Sequence, residues 1–140
     1  MEEPSKEQIK VLIAEDELDP QYIMAKRLRE EGFHVLTAQN GQQAIDKIRK
    51  ESPDVIILDL MMPEVDGFGV LRYLRENVPP PKWQPVIIVS ARRDLENFTE
   101  ELFSHSDYYI PKPCQLKDVM SAVYFLLGKR STDKNKIDAS

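Results

Sequence analysis

One cysteine, five glycines, one tryptophan and two histidines among 140 residues set the first limits on this chain. A lone Cys114 cannot close an internal disulfide, which excludes a disulfide-stapled secreted fold and a cysteine-rich zinc module. Long apolar runs are missing too. The longest, residues 86–89 (VIIV) and 122–127 (AVYFLL), fall far short of the ~20 residues that cross a bilayer. The leading MEEPSKEQ shows no basic stretch running into an apolar one, the pattern of a secretory signal. Positive charge is in deficit: 19 Lys and Arg stand against 24 Asp and Glu, a net charge of −5, the reverse of the basic face that nucleic-acid binding uses. Repeats and low-complexity tracts are absent. The 41% hydrophobic and 31% charged residues are those of a folded domain in water, not of a disordered tract. A chain of this length buries about two-thirds of its unfolded surface as one domain, without metal or disulfide staples. A reducing cytoplasm is the expected setting.

What is present is a regular alternation. Short, β-branched runs at 10–14 (KVLIA), 33–38 (FHVLTA), 55–60 (VIILDL), 86–89 (VIIV) and 107–110 (DYYI) read as strands covered on both faces. Helical spacing fills the gaps. Asp19-Pro20 predicts a helix start, with Asp19 as cap and Pro20 in the first turn. Ile23, Met24 and Leu28 form its apolar face, and Gly32 closes it. Asn40-Gly41 leads into a helix carrying Ala44, Ile45 and Ile48. A loop with Pro63 and Gly67 precedes one carrying Phe68, Leu71 and Leu74. A charged, weaker helix is expected at 93–103 and a strongly apolar one at 115–127. Residues 78–85 (VPPPKWQP) can be neither helix nor central strand. Five β–α units imply an α/β fold, a doubly wound parallel sheet with helices on both faces and right-handed crossovers. Residues 1–8 read as a flexible lead-in, 9–127 as the domain and 128–140 as a polar tail or linker.

Ligands of such sheets gather where strands end at their carboxyl edge. Four runs end there in chemistry: Glu15 and Asp16 after the first strand, Asp59 at the end of the third, Ser90 closing the fourth, Lys112 following the fifth. Each alone has a bland reading, as a loop acid, a serine bonded to local backbone or a solvated lysine. Their arrival together does not. Three converging acids repel one another unless protonated or bound to a cation, and an all-oxygen set without His or Cys suits Mg²⁺ rather than zinc. A purely structural metal site has no use for an ammonium and a hydroxyl. A site holding a phosphoryl group does, because Mg²⁺ and Lys neutralise phosphoryl oxygens while Ser donates to them. Aspartate is a competent nucleophile toward activated phosphate, and Asp59, central on a buried strand, is the natural acceptor.

The segments VLIAEDE (11–17), DVIILDLMMPEVDGFGVL (54–71), VIIVSAR (86–92) and DYYIPKP (107–113) resemble the receiver domain of bacterial two-component response regulators, in order and over roughly residues 9–127. The resemblance implies a flavodoxin-like (βα)5 fold with strand order 2-1-3-4-5. It implies phosphorelay signalling in which Asp59 takes a phosphoryl group from a sensor histidine kinase or a histidine phosphotransfer protein. It further implies Mg²⁺ (or Mn²⁺) on Asp16, Asp59 and the backbone carbonyl of Met61. Glu15 stands where the family usually has aspartate and would reach the ion through a water. Lys112 and Ser90 would bind the phosphoryl group, and the Lys112–Pro113 bond would be cis. Ser90 and Tyr109 match the family's hydroxyl–aromatic switch pair, which biases a surface formed by the fourth helix, fifth strand and last helix. A bland role for Tyr109 is a packed strand aromatic.

Met61 and Arg92 flank the path of a water attacking the acyl phosphate. Methionine cannot orient that water, so slow to moderate self-dephosphorylation is expected of a regulatory domain that is not an enzyme in the turnover sense. His105-Ser106 stands where the family more often has glycine-alanine, Tyr108 replaces a common acid, and Cys114 reads as a small buried hydrophobe. On the last helix Leu116, Val119, Met120, Val123 and Leu127 should face the sheet. Tyr124 and Phe125 fall at the edge of that face, as core contacts or as a docking or dimer surface. Output would run through a joined output domain or self-association, with no direct nucleic-acid contact and no membrane insertion. A stand-alone receiver and one cut from a longer regulator or hybrid kinase both remain open. Two competing readings are an aspartate-nucleophile phosphohydrolase, which would want a second acid where Met61 stands, and a pseudo-receiver interaction module, which would lack the acceptor or its lysine.

Overall fold

The structure is a computed structural model that describes residues 9–62, 65–77, 84–91 and 106–139, with side chains described as far as Gly128. Five parallel strands, β1 (Lys10–Ala14), β2 (His34–Ala38), β3 (Val55–Leu58), β4 (Val86–Ser90) and β5 (Tyr108–Pro111), form one sheet in the order β2-β1-β3-β4-β5. Around it lie α1 (Leu18–Glu30), α2 (Gly41–Glu51), α3 (Gly67–Asn77) and a C-terminal helix (Leu116–Ala139). The doubly wound α/β fold and its strand order are those expected from the residues and the resemblance.

The strands are apolar throughout because both their faces are covered. Every residue of β3 and β4 is buried. Alternation within them divides the core in two. Val11, Ile13, Val55, Ile57, Ile87 and Val89 pack with Leu28 of α1 and Val119, Ala122 and Val123 of the C-terminal helix. Leu12, Ala14, Ile56, Leu58, Val86 and Ile88 pack with Ala44 and Ile48 of α2 and Phe68, Leu71 and Leu74 of α3.

Local signals set the helix ends. Asn40 caps α2, its side chain accepting from the Gln43 N–H at 2.8 Å. After α1, Gly32 takes φ 98°, the Gly32 N–H donates to the Arg29 carbonyl and the Phe33 N–H to the Leu28 carbonyl. Those two bonds make a Schellman ending, with Phe33 and Leu28 in the same core cluster. The start of α1 differs from the expectation: the cap position is Glu17, not Asp19, and Pro20 sits in the third helical position. Proline is harmless there because the first four helical N–H groups have no partner inside the helix. The last helix also differs, running on to Ala139 instead of stopping near Leu127. Gly128 meets nothing within 4 Å of a Cβ, and a lone exposed glycine costs a helix only about 1 kcal/mol. The expected helix at 93–103 and residues 78–83 lie outside the described residues.

At the amino edge of the sheet, opposite the strand ends that carry the acids, polar side chains close the backbone. Arg75, its side chain only 4% exposed, donates to the Gln84 carbonyl at 3.2 Å and pairs with Asp107 at 3.3 Å. Asp107 in turn accepts from the Val86 N–H at 2.9 Å, and Gln84 donates to the Pro53 carbonyl at 2.7 Å. Asp107 thus works from beside β5, whose first residue is Tyr108, one later than the sequence suggests.

Candidate functional site

Ladder bonds continue one residue past the ends of β1 and β3. The Glu15 N–H donates to the Ala38 carbonyl and the Asp59 N–H to the Ala14 carbonyl, each at 3.0 Å. Since Ala14 and Leu58 are paired in register, Glu15 and Asp59 emerge side by side. Beyond Asp59 the chain turns tightly enough for the Gly67 N–H to donate to the Leu60 carbonyl at 3.1 Å. A Cβ on Gly67 would stand 2.5 Å from the Asp59 carbonyl oxygen, so the close approach requires glycine.

The side chains then converge. Lys112 Nζ donates to Glu15 Oε1 at 2.8 Å and to Asp59 Oδ2 at 3.2 Å, while Asp59 Oδ1 accepts from the Met61 N–H at 2.9 Å. Lys112 is itself held by its N–H, which donates to the Ser90 carbonyl at 2.8 Å, and the Lys112–Pro113 bond is cis. Glu15 and Asp59 are 2% and 5% exposed, whereas Asp16 is open to solvent. Two acids are therefore nearly out of water, bridged by a lysine that is only partly exposed.

The balance is unfavourable to full ionisation. Burial, then hydrogen bonding with Asp59, pushes the Glu15 carboxyl from 4.5 up to about 8 despite Lys112. Burial works against the Lys112 ammonium as well, but its bonds to Glu15 and the charges of Asp59 and Glu15 outweigh that and hold its pKa above the ordinary lysine value. One Glu15 oxygen, Oε2, is buried without a hydrogen-bond partner. Carboxylate oxygens of Glu15, Asp16 and Asp59 all lie within 4.8 Å of one another. An orphaned carboxyl oxygen and two neighbouring acids that resist full ionisation without added positive charge fit a hard divalent cation, and the all-oxygen set favours Mg²⁺ over zinc.

Ser90 is 1% exposed at the end of β4, opposite Pro111. Tyr109 lies opposite Ile88, half-buried against the α2–α3 side of the core, and burial raises its phenol pKa. Tyr108 turns the other way, 40% exposed, its ring edge-on to Phe125 at 6.0 Å. The Met61 side chain projects to solvent, and Arg92, Pro63 and His105 lie outside the described residues. Cys114 is half-buried against the core, and burial pushes its thiol up, as suits a small hydrophobe. Val119, Met120 and Val123 face the sheet as expected, joined by Ala122 and Leu126, while Phe125 stays exposed.

Two polar residues escaped the sequence reading. Arg75 serves the far edge of the sheet. Gln21, 9% exposed, donates from Nε2 to the Glu15 carbonyl at 2.9 Å and to the Ala38 carbonyl at 3.0 Å, beside the acids. Its one signal was a polar side chain on the buried stripe Gln21, Met24, Ala25, Leu28.

Comparison with known proteins agrees with this geometry. The family model described as the response regulator receiver domain matches residues 11–124. A probable transcriptional regulator, ycf27, of Guillardia theta is 35% identical over 125 residues, covering 89% of this chain and 47% of that protein. The transcriptional regulatory protein TrcR of Mycobacterium tuberculosis is 35% identical over 123 residues, covering 88% of this chain and 47% of the relative. The chain thus spans about half the length of these relatives. Among solved structures, the receiver domain of the Francisella response regulator 1452 superposes with a TM-score of 0.77 at 33% identity, covering 88% of this chain and 99% of the other. A buried acid pair under a lysine at the carboxyl edge of a 2-1-3-4-5 sheet and a family match over most of the domain lead to one assignment: the chain belongs to the response regulator receiver domain family.

Proposed function

We propose that this chain is the phospho-accepting module of a phosphorelay, taking a phosphoryl group onto Asp59 from a sensor histidine kinase or a histidine phosphotransfer protein. The observation that carries the proposal is the setting of Asp59. It is nearly buried, 3.2 Å from Lys112 Nζ, with the carboxylates of Glu15 and Asp16 within 4.8 Å. An Asp59 carboxylate oxygen forms the new O–P bond as the donor's N–P bond breaks, and the imidazole leaves with the electron pair. Asp16, Asp59 and the Met61 carbonyl would hold Mg²⁺ or Mn²⁺, with Glu15 acting through a water. The ion supplies charge neutralisation at the phosphoryl oxygens. Lys112 exchanges part of its bond to Asp59 for a phosphoryl oxygen, and the Ser90 hydroxyl donates to another.

The added group brings about −2 of charge and three acceptor oxygens to the edge of the sheet. Ser90 moves toward it, and the space it vacates enlarges the inward population of Tyr109, already half-buried. The surface of β5 and the C-terminal helix then presents a changed face to an output domain or a second copy; the fourth helix expected to share that surface lies outside the described residues. A complete reversal from 1:99 to 99:1 needs about 5.5 kcal/mol, within reach of a few charge-assisted hydrogen bonds. Met61 cannot orient an attacking water, so the acyl phosphate hydrolyses at a slow to moderate rate; Arg92, the other residue expected to tune that rate, lies outside the described residues. The module, residues 9–127, works in the cytoplasm; among the described residues no helix is long and apolar enough to cross a membrane.

The test is intact mass after incubation with Mg²⁺ and acetyl phosphate, with Asp59→Asn as control. A Mg²⁺-dependent gain of one phosphoryl group, absent in the variant, is the expected result. Donor turnover without an adduct would replace this reading with a phosphohydrolase. Neither adduct nor turnover, from the small donor or from a histidine phosphotransfer protein, would leave an interaction module.

A further inference from the structure

Asp16 is unlike its neighbours in one respect. Glu15 and Asp59 are tied by Lys112, but among the described residues no hydrogen bond or ion pair holds the Asp16 carboxylate. Among the described residues it is the backbone that sets its position, by how the chain leaves β1. That exit is fastened by Gln21. Both N–H bonds of its amide are used, one on the Glu15 carbonyl, the group bonded to the Asp16 nitrogen, and one on the Ala38 carbonyl at the end of β2. The Glu15 N–H donates to that same Ala38 oxygen. One side chain thus joins the first turn of α1 to the ends of two strands at the peptide just before Asp16.

A packing role alone would favour another residue. Position 21 lies on the buried stripe with Met24, Ala25 and Leu28, where an aliphatic side chain buries more apolar surface. Glutamine there carries a desolvation cost that only its two acceptors offset.

We propose that Gln21 is a positioning residue of the acidic site, fixing the Glu15–Asp16 peptide and so setting the stance of Asp16 toward a divalent cation. The inference rests on the metal-binding reading of the site given above. Groups that orient metal ligands are typically worth about ten- to a hundredfold in metal affinity.

The experiment compares Gln21→Leu with Gln84→Leu in the full chain. Gln84 is also 9% exposed and also donates to a backbone carbonyl, that of Pro53, but at the opposite edge of the sheet. Melting is followed in EDTA, and the Mg²⁺ dissociation constant by titration calorimetry. The expected result is a roughly tenfold weaker Mg²⁺ affinity in Gln21→Leu and an unchanged one in Gln84→Leu, at comparable melting temperatures. Wild-type affinity in a folded Gln21→Leu would overturn the inference while leaving the proposed function standing. Wild-type protein that binds no Mg²⁺ would overturn both. Should Gln21→Leu fail to fold, Gln21→Asn, which keeps the amide but is one methylene short, is read by the same two outcomes.

Discussion

Replacing Glu15 with glutamine should stabilise the metal-free protein, and only above mildly acidic pH. Glu15 is 2% exposed, shares Lys112 with Asp59, and has its carboxyl pushed from 4.5 to about 8, first by burial and then by Asp59. Below about pH 4.5 the carboxyl is protonated both folded and unfolded, and no cost arises. Between the two values the unfolded chain has lost the proton that the folded chain keeps, so unfolding becomes easier by about 1.4 kcal/mol per pH unit. Above pH 8 the loss is complete. The whole shift corresponds to a ceiling of about 5 kcal/mol. Two carboxylates within 4.8 Å of each other at an effective dielectric of about 20 repel by at least about 3 kcal/mol, the same order. Glutamine copies the protonated acid: its oxygen can accept from Lys112 and its amide can donate toward Asp59. Urea unfolding of wild type and Glu15→Gln in EDTA at pH 5, 6, 7 and 8 should show curves that converge near pH 5 and separate by about 2 to 5 kcal/mol at pH 8, the variant being the more stable. Saturating Mg²⁺ should narrow or reverse that order, because bound ligand stabilises the wild type more. A pH-independent difference, or a less stable variant at pH 8, would refute the reasoning.

Other consequences follow from the same geometry. Lys112→Met should abolish phosphoryl uptake yet tighten Mg²⁺ binding several-fold, since the ammonium competes for the Glu15 and Asp59 oxygens; calorimetry showing weaker binding would contradict this. Arg75→Met should lower stability by about 1 to 3 kcal/mol in denaturant titrations with Mg²⁺ affinity intact, because the Gln84 carbonyl loses its Arg75 donor and Asp107, which keeps the Val86 N–H, loses its ion pair at the far edge of the sheet. Gly67→Ala should cost about 1 to 3 kcal/mol and slow phosphorylation by acetyl phosphate, as its methyl would push on the Asp59 carbonyl; wild-type rates would count against that close approach.

The carboxyl edge of the sheet was legible because its chemistry sits at strand ends, where unbroken apolar runs such as residues 55–58 stop and a charged residue follows. Gly32 and Asn40 were legible for the same kind of reason, each meeting a strong local demand at a helix end. The misplaced start of α1 shows the limit of local signals. Pro20 suits the first position of a helix and is tolerated at its third, and the earlier start goes with Gln21 bonding to the β1 exit. Gln21 and Arg75 were illegible because their acceptors are backbone carbonyls of other elements, which no spacing in the sequence reveals.

The two edges of the sheet use buried polarity differently. At the amino edge Arg75, Asp107 and Gln84 pair opposite charges and close backbone groups, leaving one neutral amide oxygen, Gln84 Oε1, without a partner. At the carboxyl edge the unpartnered atom among the described residues belongs to an acid, beside two more acids and Lys112. The first arrangement gains from staying as it is. Among the described residues the second carries more negative charge than its lysine balances, and a bound cation, which supplies positive charge, lowers its energy. Stability and responsiveness are thereby assigned to opposite ends of the same five strands, and a substitution at one end should be readable without disturbing the other.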